Sequence, residues 1–225
     1  MPTPTPTALG SRLAALPTAA LSDALDKLGL PGSLHGIGPL QQASRSCGPA
    51  YTVAYAPIGE QGGSVGDFLD DVPAGAVVVI DNDGRTDCTV WGGIMTGIAL
   101  ARGIGGTVIH GVCRDTAAVY ATGYPMWSAG KFMRTGKDRV RLAAIQQPLT
   151  IGGVTIRPGD LVCGDEDGVV IVPIEYAEEV ATIAEHIESA EAQIVKAVRD
   201  GATLVAARTR FGYHALQTAG TEKDK

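Results

Sequence analysis

The residue types that could do chemistry are concentrated in residues 91–115, WGGIMTGIALARGIGGTVIHGVCRD. This stretch runs from a glycine pair, Gly92–Gly93, to an arginine beside an aspartate, Arg114–Asp115. A helix opening at the glycine pair presents backbone N–H groups that have no acceptor inside the helix, together with the positive end of its dipole. That combination suits a small anion. An arginine forks onto a carboxylate and an aspartate holds a hard cation, so the pair completes a site for a metal-chelated oxo acid. On this reading the free amides at the helix start and the side chain of Arg114 bind substrate, and Asp115 binds metal.

Secondary elements must bring these residues together. Ile94–Arg102 reads as a small-residue helix, and a glycine-rich connection leads into an apolar strand over Thr107–Val112 that ends on Arg114 and Asp115. Ala76–Asp81, AVVVID, is a β-branched run of the kind buried on both faces, closed by the turn Asn82–Asp83–Gly84. Gly48–Ala56 is a strand, and residues 59–73 are a glycine-rich loop leading into a short helix. Thr116–Thr122 forms helical turns, and Tyr124–Trp127 another strand. Pro148–Ile156 reads as strand, turn and strand about Gly152–Gly153. Leu161–Val172 gives two strands separated by GDEDG.

Helices flank this centre. Thr18–Leu28 has amphipathic spacing, with Thr18 or Ser22 as caps and Gly29 as a stop. From Glu175 to Arg199, the residues Val180, Ile183, Ile187, Ile194 and Val198 mark one helical face, and Gly201 is a ready stop. Strands crowd the middle and helices both ends, which indicates a mixed α/β domain, two sheet layers flanked by helices, and not a regular doubly wound fold. A disordered tail over 1–10, one domain over 11–212 and a flexible tail over 213–225 are expected.

The chain has 225 residues, 45% of them hydrophobic and 19% charged, enough for one substantial core. A formal charge of -6 and a pI near 5.2 give no reason to expect nucleic acid or an anionic membrane as partner. Lys131, Arg134, Lys137, Arg139 and Arg141 form the only basic cluster and read as a solvated loop or an edge against a neighbouring subunit. No apolar run is long enough to span a membrane and the N-terminus does not read as a signal peptide, so a cytoplasmic protein is expected. Cys47, Cys88, Cys113 and Cys163 form no CxxC pair, and buried thiols are expected. Arg114 could lower the pKa of its neighbour Cys113, although a core strand thiol is the simpler reading.

Several chemistries are excluded by pattern. The glycines of 103–106 precede a strand, whereas a dinucleotide fingerprint must follow one. The chain carries no GxxxxGK[ST], and His35, His110, His186 and His214 are scattered, so no serine triad is indicated. Asp165 and Asp167 have the composition of metal ligands, but DEDG between two strands reads first as a tight turn.

Taken together, the ordered motifs resemble one family. They are Gly48–Pro49–Ala50 with Thr52–Val53, Pro73–Ala74–Gly75 with Val77–Asp81, Trp91–Gly92–Gly93, Gly111 with Arg114–Asp115, Tyr124–Pro125, and Pro158–Gly159–Asp160 with Asp165 and Asp167–Gly168–Val169. From about Leu21 to Val198 the chain resembles the metal-dependent 4-hydroxy-4-methyl-2-oxoglutarate and 4-carboxy-4-hydroxy-2-oxoadipate aldolases, which share a fold with the regulator of ribonuclease activity A. The resemblance implies an αββα, swivelling-domain-like α/β fold, a homotrimer or homohexamer, and active sites between subunits. It also implies Mg²⁺ or Mn²⁺ on Asp115, Arg114 against the oxo acid, and the amides of Gly92–Met95 on the pyruvyl carboxylate.

Two positions depart from the family pattern. The aldolases carry an acid where this chain has Gly93, and often another where it has Ala118. Retro-aldol cleavage needs a base for the substrate hydroxyl, whereas decarboxylation of a β-oxo acid needs only an electron sink. His110 is a candidate replacement base, since the two-residue period of a strand sets it on the face of Arg114; a histidine hydrogen-bonded at a strand end is the alternative. Glu188 or Glu191 could reach a neighbouring subunit's site, as in the family, or be ordinary helix-surface acids. The expectation is a divalent-metal-dependent lyase that releases pyruvate from a small 2-oxo (di)carboxylic acid through a metal-stabilised enolate, as an oxaloacetate decarboxylase or an aldolase. The alternatives are a non-catalytic regulator of the ribonuclease-regulator type and another enolate enzyme.

Overall fold

The computed structural model describes residues 6–59 and 65–216. In chain order, helices α1 (Pro6–Ala14) and α2 (Thr18–Leu28) precede strands β1 (Gly38–Pro39), β2 (Ser46–Pro57) and β3 (Val77–Asp81). Helix α3 (Gly93–Ala101), strand β4 (Gly106–Cys113), helix α4 (Thr116–Thr122) and strand β5 (Met126–Lys131) follow. Strands β6 (Val140–Ile145), β7 (Leu149–Ile151), β8 (Val154–Ile156), β9 (Leu161–Gly164) and β10 (Val169–Val172) lead into helices α5 (Ala177–Arg199) and α6 (Leu204–Arg210).

The β-branched runs form the parallel centre of the sheet, β2–β3–β4–β5, because only strands covered on both faces bury such side chains completely. Strand β2 divides its other edge, pairing Ser46–Pro49 with β9 and Val53–Pro57 with β6. Strand β9 carries β10, and the segment 33–39 brings the sheet round on itself: Ser33 bridges to Val170, and Gly38–Pro39 pairs with β5. The result is a nearly closed, barrel-like sheet.

Alternation along the strands sorts the side chains. Val77, Val79, Val108, Trp127, Val162 and Ile171 point inside, where the β7–β8 hairpin adds Leu149, Ile151, Val154 and Ile156. Val78, Ile80 and Ile109 point outward beneath α3 and α4, against Trp91, Met95, Ala99 and Val119. On the other side Val170 and Val172 pack under α1, α2 and α5 against Leu13, Leu21, Leu25, Val180 and Ala184. The two walls of the curled sheet, each with its helices outside, give the expected helix–sheet–sheet–helix layering.

Several local expectations change. Helix α1 begins at Pro6, inside the segment expected as a disordered tail, because Leu9 and Leu13 are buried and the Arg12 guanidinium bonds Glu178 and Glu185 of α5. At the other end Tyr213–Ala215 forms a helical turn and Leu216 is buried with Ile187 and Ala190, so the described start of the expected flexible tail is packed. Neither Thr18 nor Ser22 caps α2; Pro17 takes the cap position, whereas Gly29 ends the helix at φ 67° as expected. The packed face of α5 runs through Val180, Ile187 and Ile194, and Val198 lies exposed beyond it. Of the loop expected over 59–73, residues 60–64 lie outside the described residues, and Asp67–Asp71 is the short helix.

The cysteines also differ from expectation. Cys47 and Cys163 sit directly opposite each other in the antiparallel β2–β9 register, with Cα atoms 4.2 Å apart, and are joined as a disulfide. Cys88 and Cys113 are free and buried, as expected. Among the described residues no helix is long and apolar enough to cross a membrane.

Trp127 fills the sheet interior by lying against Gly164, where an added Cβ would come within 2.6 Å of its indole ring. The fully buried ring has no space to retreat. Gly164→Ala should therefore lower stability by about 1–3 kcal/mol, read as a lower urea midpoint at unchanged slope; an unchanged midpoint would show that the interior yields.

Candidate active site

The site lies where β4 gives way to α4, at the carboxyl end of the parallel strands, the usual position for binding in open α/β sheets. Asp115 occupies the junction with φ 57° and ψ 37°, a left-handed conformation that aspartate tolerates better than most residues. Three hydrogen bonds hold it. The Arg114 N–H donates to the Trp91 carbonyl at 3.0 Å, the Ala118 N–H to the Asp115 carbonyl at 2.9 Å, and the Gly93 N–H to Asp115 Oδ2 at 2.9 Å.

The carboxylate of Asp115 thus secures the first turn of α3. Arg114 Nε lies 3.8 Å from the same Oδ2, and the Asp115 side chain remains 54% exposed. Glycine at 92 is what permits this approach, since a Cβ there would sit 2.9 Å from Asp115 Oδ2 and 3.3 Å from Arg114 Nε. A cavity of about 170 Å³ results, lined by Gly92, Gly93, Ile94, Met95, Arg114 and Asp115, with Thr89, Trp91 and Thr135 among the other walls. All six candidate binding residues from 91–115 meet there.

The amides do not all have the expected role. The Gly93 N–H is engaged by Asp115, so an anion at the helix start meets Ile94 and Met95, whose N–H groups have no acceptor within the helix. Beside this cradle, a Cβ at Gly93 would lie 3.7 Å from the Cβ of Ala118. The two positions at which the aldolases carry acids therefore face each other across the gap between α3 and α4, and both are without a carboxylate.

The donor set limits the metal. Among the described residues no three or more His, Cys, Asp or Glu side chains group to hold an ion. One half-exposed carboxylate fits a cation that keeps most of its waters, as Mg²⁺ does, and does not fit zinc, which draws three or four protein ligands.

His110 is not brought to this cavity. The β4–β5 register shifts between Ile109 and Val112 and Gly111 has φ 149°, so strict alternation does not carry from His110 to Arg114. Its Nδ1 instead lies 2.8 Å from Asp81 Oδ1, which also accepts the Asp83 N–H at 2.9 Å. Of the two readings left open by the sequence, the hydrogen-bonded strand-end histidine is the one observed. Glu188 and Glu191 lie on α5, on the far side of the sheet from α3. Burial, then the neighbouring Glu188 and Asp23, push the Glu191 carboxyl above the usual range.

Cys113 is a core thiol. Burial raises its pKa, and its Sγ rests near Ser128 Oγ and the Gly130 carbonyl. One member of the basic cluster, Lys131, reaches the neighbourhood of the site. Lys131 pairs with Cys113 in the β4–β5 register, and with Phe132 and Met133 it lines a second cavity of about 270 Å³ that shares Arg114 and Asp115 with the first.

Asp165, with the composition of a ligand, is a structural group. It accepts the Thr18 N–H at 2.8 Å, the Thr18 hydroxyl at 2.5 Å and the Asp167 N–H at 3.0 Å, while its own backbone closes the turn to Gly168. Burial acts to raise its pKa, but the Thr18 and Asp167 donors outweigh that and hold the carboxyl below the usual range.

Comparison with known proteins agrees with the architecture and the motifs. Residues 18–171 match the RraA-like family described as Aldolase/RraA. The chain is 42% identical over 199 residues to Protein DlpA of Legionella pneumophila, covering 87% of this chain and 32% of that one, so it spans about a third of that relative's length. It is 34% identical over 194 residues to a Halalkalibacterium halodurans protein named "Putative 4-hydroxy-4-methyl-2-oxoglutarate aldolase", covering 85% and 89% of the two chains. A crystal structure of an uncharacterized protein from Pseudomonas syringae pv. tomato superimposes with a TM-score of 0.88 at 46% identity, covering 92% of this chain and 96% of that one.

The Asp165 network carries a pH signature. A carboxyl whose folded pKa is depressed stabilises the fold above its unfolded value, near 3.8, and loses that contribution as pH falls toward the folded value. Asp165→Asn should cost about 1–3 kcal/mol at pH 7, and the gap to the parent should narrow below pH 4. Urea unfolding at pH 7 and pH 3 measures it, and a gap of equal size at both values would remove the charge from the explanation.

Proposed function

The chain belongs to the RraA-like family of aldolases and RraA proteins, and on that premise we propose that it is a divalent-metal-dependent lyase releasing pyruvate from a small 2-oxo acid. The observation that carries this reading is the convergence of Arg114, Asp115 and the start of α3 on one cavity. The half-exposed Asp115 carboxylate would hold Mg²⁺ or Mn²⁺, which when bound polarises the 2-oxo oxygen as a Lewis acid.

The residues themselves orient and stabilise. The Ile94 and Met95 amides, with the helix dipole behind them, bind the carboxylate adjoining the 2-oxo group. The Arg114 guanidinium, 39% exposed at the cavity wall, donates toward the oxygen on which negative charge develops. In decarboxylation of a β-oxo acid the bond from C3 to the departing carboxylate breaks. Its electron pair becomes the enolate, carbon dioxide leaves, and a proton from water at C3 gives pyruvate. No protein base is required.

Aldol cleavage makes a further demand, the removal of a proton from the substrate hydroxyl. Gly93 and Ala118, facing each other, leave no carboxylate for it at the positions the aldolases use, and His110 is held by Asp81. Decarboxylation is therefore favoured over cleavage of 4-hydroxy-4-methyl-2-oxoglutarate. Ile94 and Ile98 project from the helix that starts at the cavity, Ile94 with 81% exposure, which supports a homotrimeric or homohexameric assembly that buries them beside the site. The missing acids equally favour one other reading, a cytoplasmic binding protein of the ribonuclease-regulator kind that keeps the fold without turnover.

Supplying oxaloacetate and 4-hydroxy-4-methyl-2-oxoglutarate with Mg²⁺ or Mn²⁺ and following pyruvate tests the reading. The expected result is EDTA-sensitive release that is faster from oxaloacetate, reduced at least ~100-fold by Asp115→Ala. Release from neither acid, with capture of a ribonuclease, would decide for the binding protein.

A further inference from the structure

The second cavity gives the site a feature that the pyruvyl end of a substrate does not need. It adjoins the first cavity at Arg114 and Asp115 and is lined as well by Lys131, Phe132 and Met133. The two cavities share that charged pair as their common wall. A substrate anchored at the Ile94 and Met95 amides can therefore extend past Arg114 into the second cavity.

The position of Lys131 follows from the strands. It is the register partner of Cys113, and the Phe132 N–H donates to the Cys113 carbonyl at 2.9 Å, so the last residue of β5 stands one strand across from the Arg114–Asp115 turn. Neighbouring strands are about 4.8 Å apart, and Arg114 and Lys131 both line the second cavity. Lys131 is also directed by α4: its Nζ donates to the Tyr120 hydroxyl at 3.3 Å and lies 5.8 Å from the ring centroid. That contact restrains a side chain that would otherwise range freely.

The charge and the walls of the cavity specify what would bind. Arg114 and Lys131 bring two positive charges against the negative charge of Asp115, and among the described residues no other acid lines the cavity. Phe132 and the 75%-exposed Met133 present apolar surface suited to methylene groups. The geometry points to Lys131 as the residue that reads the distal carboxylate of a dicarboxylic 2-oxo acid, with Tyr120 positioning it. This rests on the 2-oxo-acid reading of the adjoining cavity and adds to it a preference for two carboxylates over one.

Calorimetric titration in Mg²⁺ buffer with 2-oxoglutarate and 2-oxopentanoate, acids of equal chain length carrying two carboxylates and one, tests the inference without requiring turnover. The parent protein should bind the diacid at least about tenfold more tightly. Lys131→Met should abolish that preference while leaving 2-oxopentanoate affinity unchanged, Lys131→Arg should retain it, and Tyr120→Phe should weaken it a few-fold. Lys131 is exposed at the strand end, so these variants should keep the parent's melting temperature. Equal affinities in the parent, a preference that survives in Lys131→Met, or binding of neither acid overturns the inference. A diacid preference lost in Lys131→Met alongside no pyruvate release would remove the lyase reading and leave Lys131 as the reader of a bound diacid. Pyruvate release with a Lys131-independent preference would remove only the role of Lys131.

Discussion

The hydrogen bond from the Gly93 N–H to Asp115 Oδ2 is the interaction on which the rest of the site depends. It joins the start of α3 to the end of β4 across 22 residues of chain, and so fixes the first turn of α3 relative to Arg114 and Asp115 at the cavity. A negative side chain at a helix start is favoured by the dipole, and the left-handed backbone of Asp115 is held by the bonds on either side of it. The glycines at 92 and 93 follow from the same contact, because the chain must pass close to the carboxylate there.

The sheet makes that contact reproducible. Strands β3, β4 and β5 run parallel and are buried on both faces, so their carboxyl ends are set by the packing of Val79, Ile80, Val108 and Ile109, and not by the loops they feed. Helix α3 is apolar nearly all round, which is unusual for a helix on a single chain's surface. Its inner face is secured by Met95 and Ala99, whereas Ile94 and Ile98 are left outside. The residues that shape the cavity and the exposed Ile94 and Ile98 thus share one short helix.

What the sequence made legible and what it did not divide along physical lines. The runs Val77–Asp81 and Gly106–Cys113 could be read because burial on both faces demands continuous apolar residues. The segment 91–115 was legible as far as its glycine pair and Arg114–Asp115 meeting at one cavity, because a helix start and a strand end are marked by local pattern. Strand β6 could not, since it lies half-exposed on the edge of β2 and its sequence VRLAAI carries little period. The His110 face was misjudged because one bulge shifts the register, and periodicity presumes there is none. The Cys47–Cys163 pair joins positions 116 residues apart, a contact that no local pattern encodes. Lys131 was hidden for the same reason: only the β4–β5 register makes it a neighbour of Arg114.

Two aspartates show why composition alone could not choose between candidate acids. Both Asp115 and Asp165 take a backbone N–H at the start of a helix, the one from Gly93 of α3 and the other from Thr18 of α2. A carboxylate offers about four acceptor positions. In Asp165 three donors fill most of them and the residue is buried, so nothing beyond the fold can use its charge. In Asp115 the Gly93 N–H and the longer Arg114 contact leave acceptor capacity facing a cavity, on a side chain half open to solvent. The same residue type performing the same capping task is structural where its hydrogen bonds are saturated. It is available for chemistry where they are not.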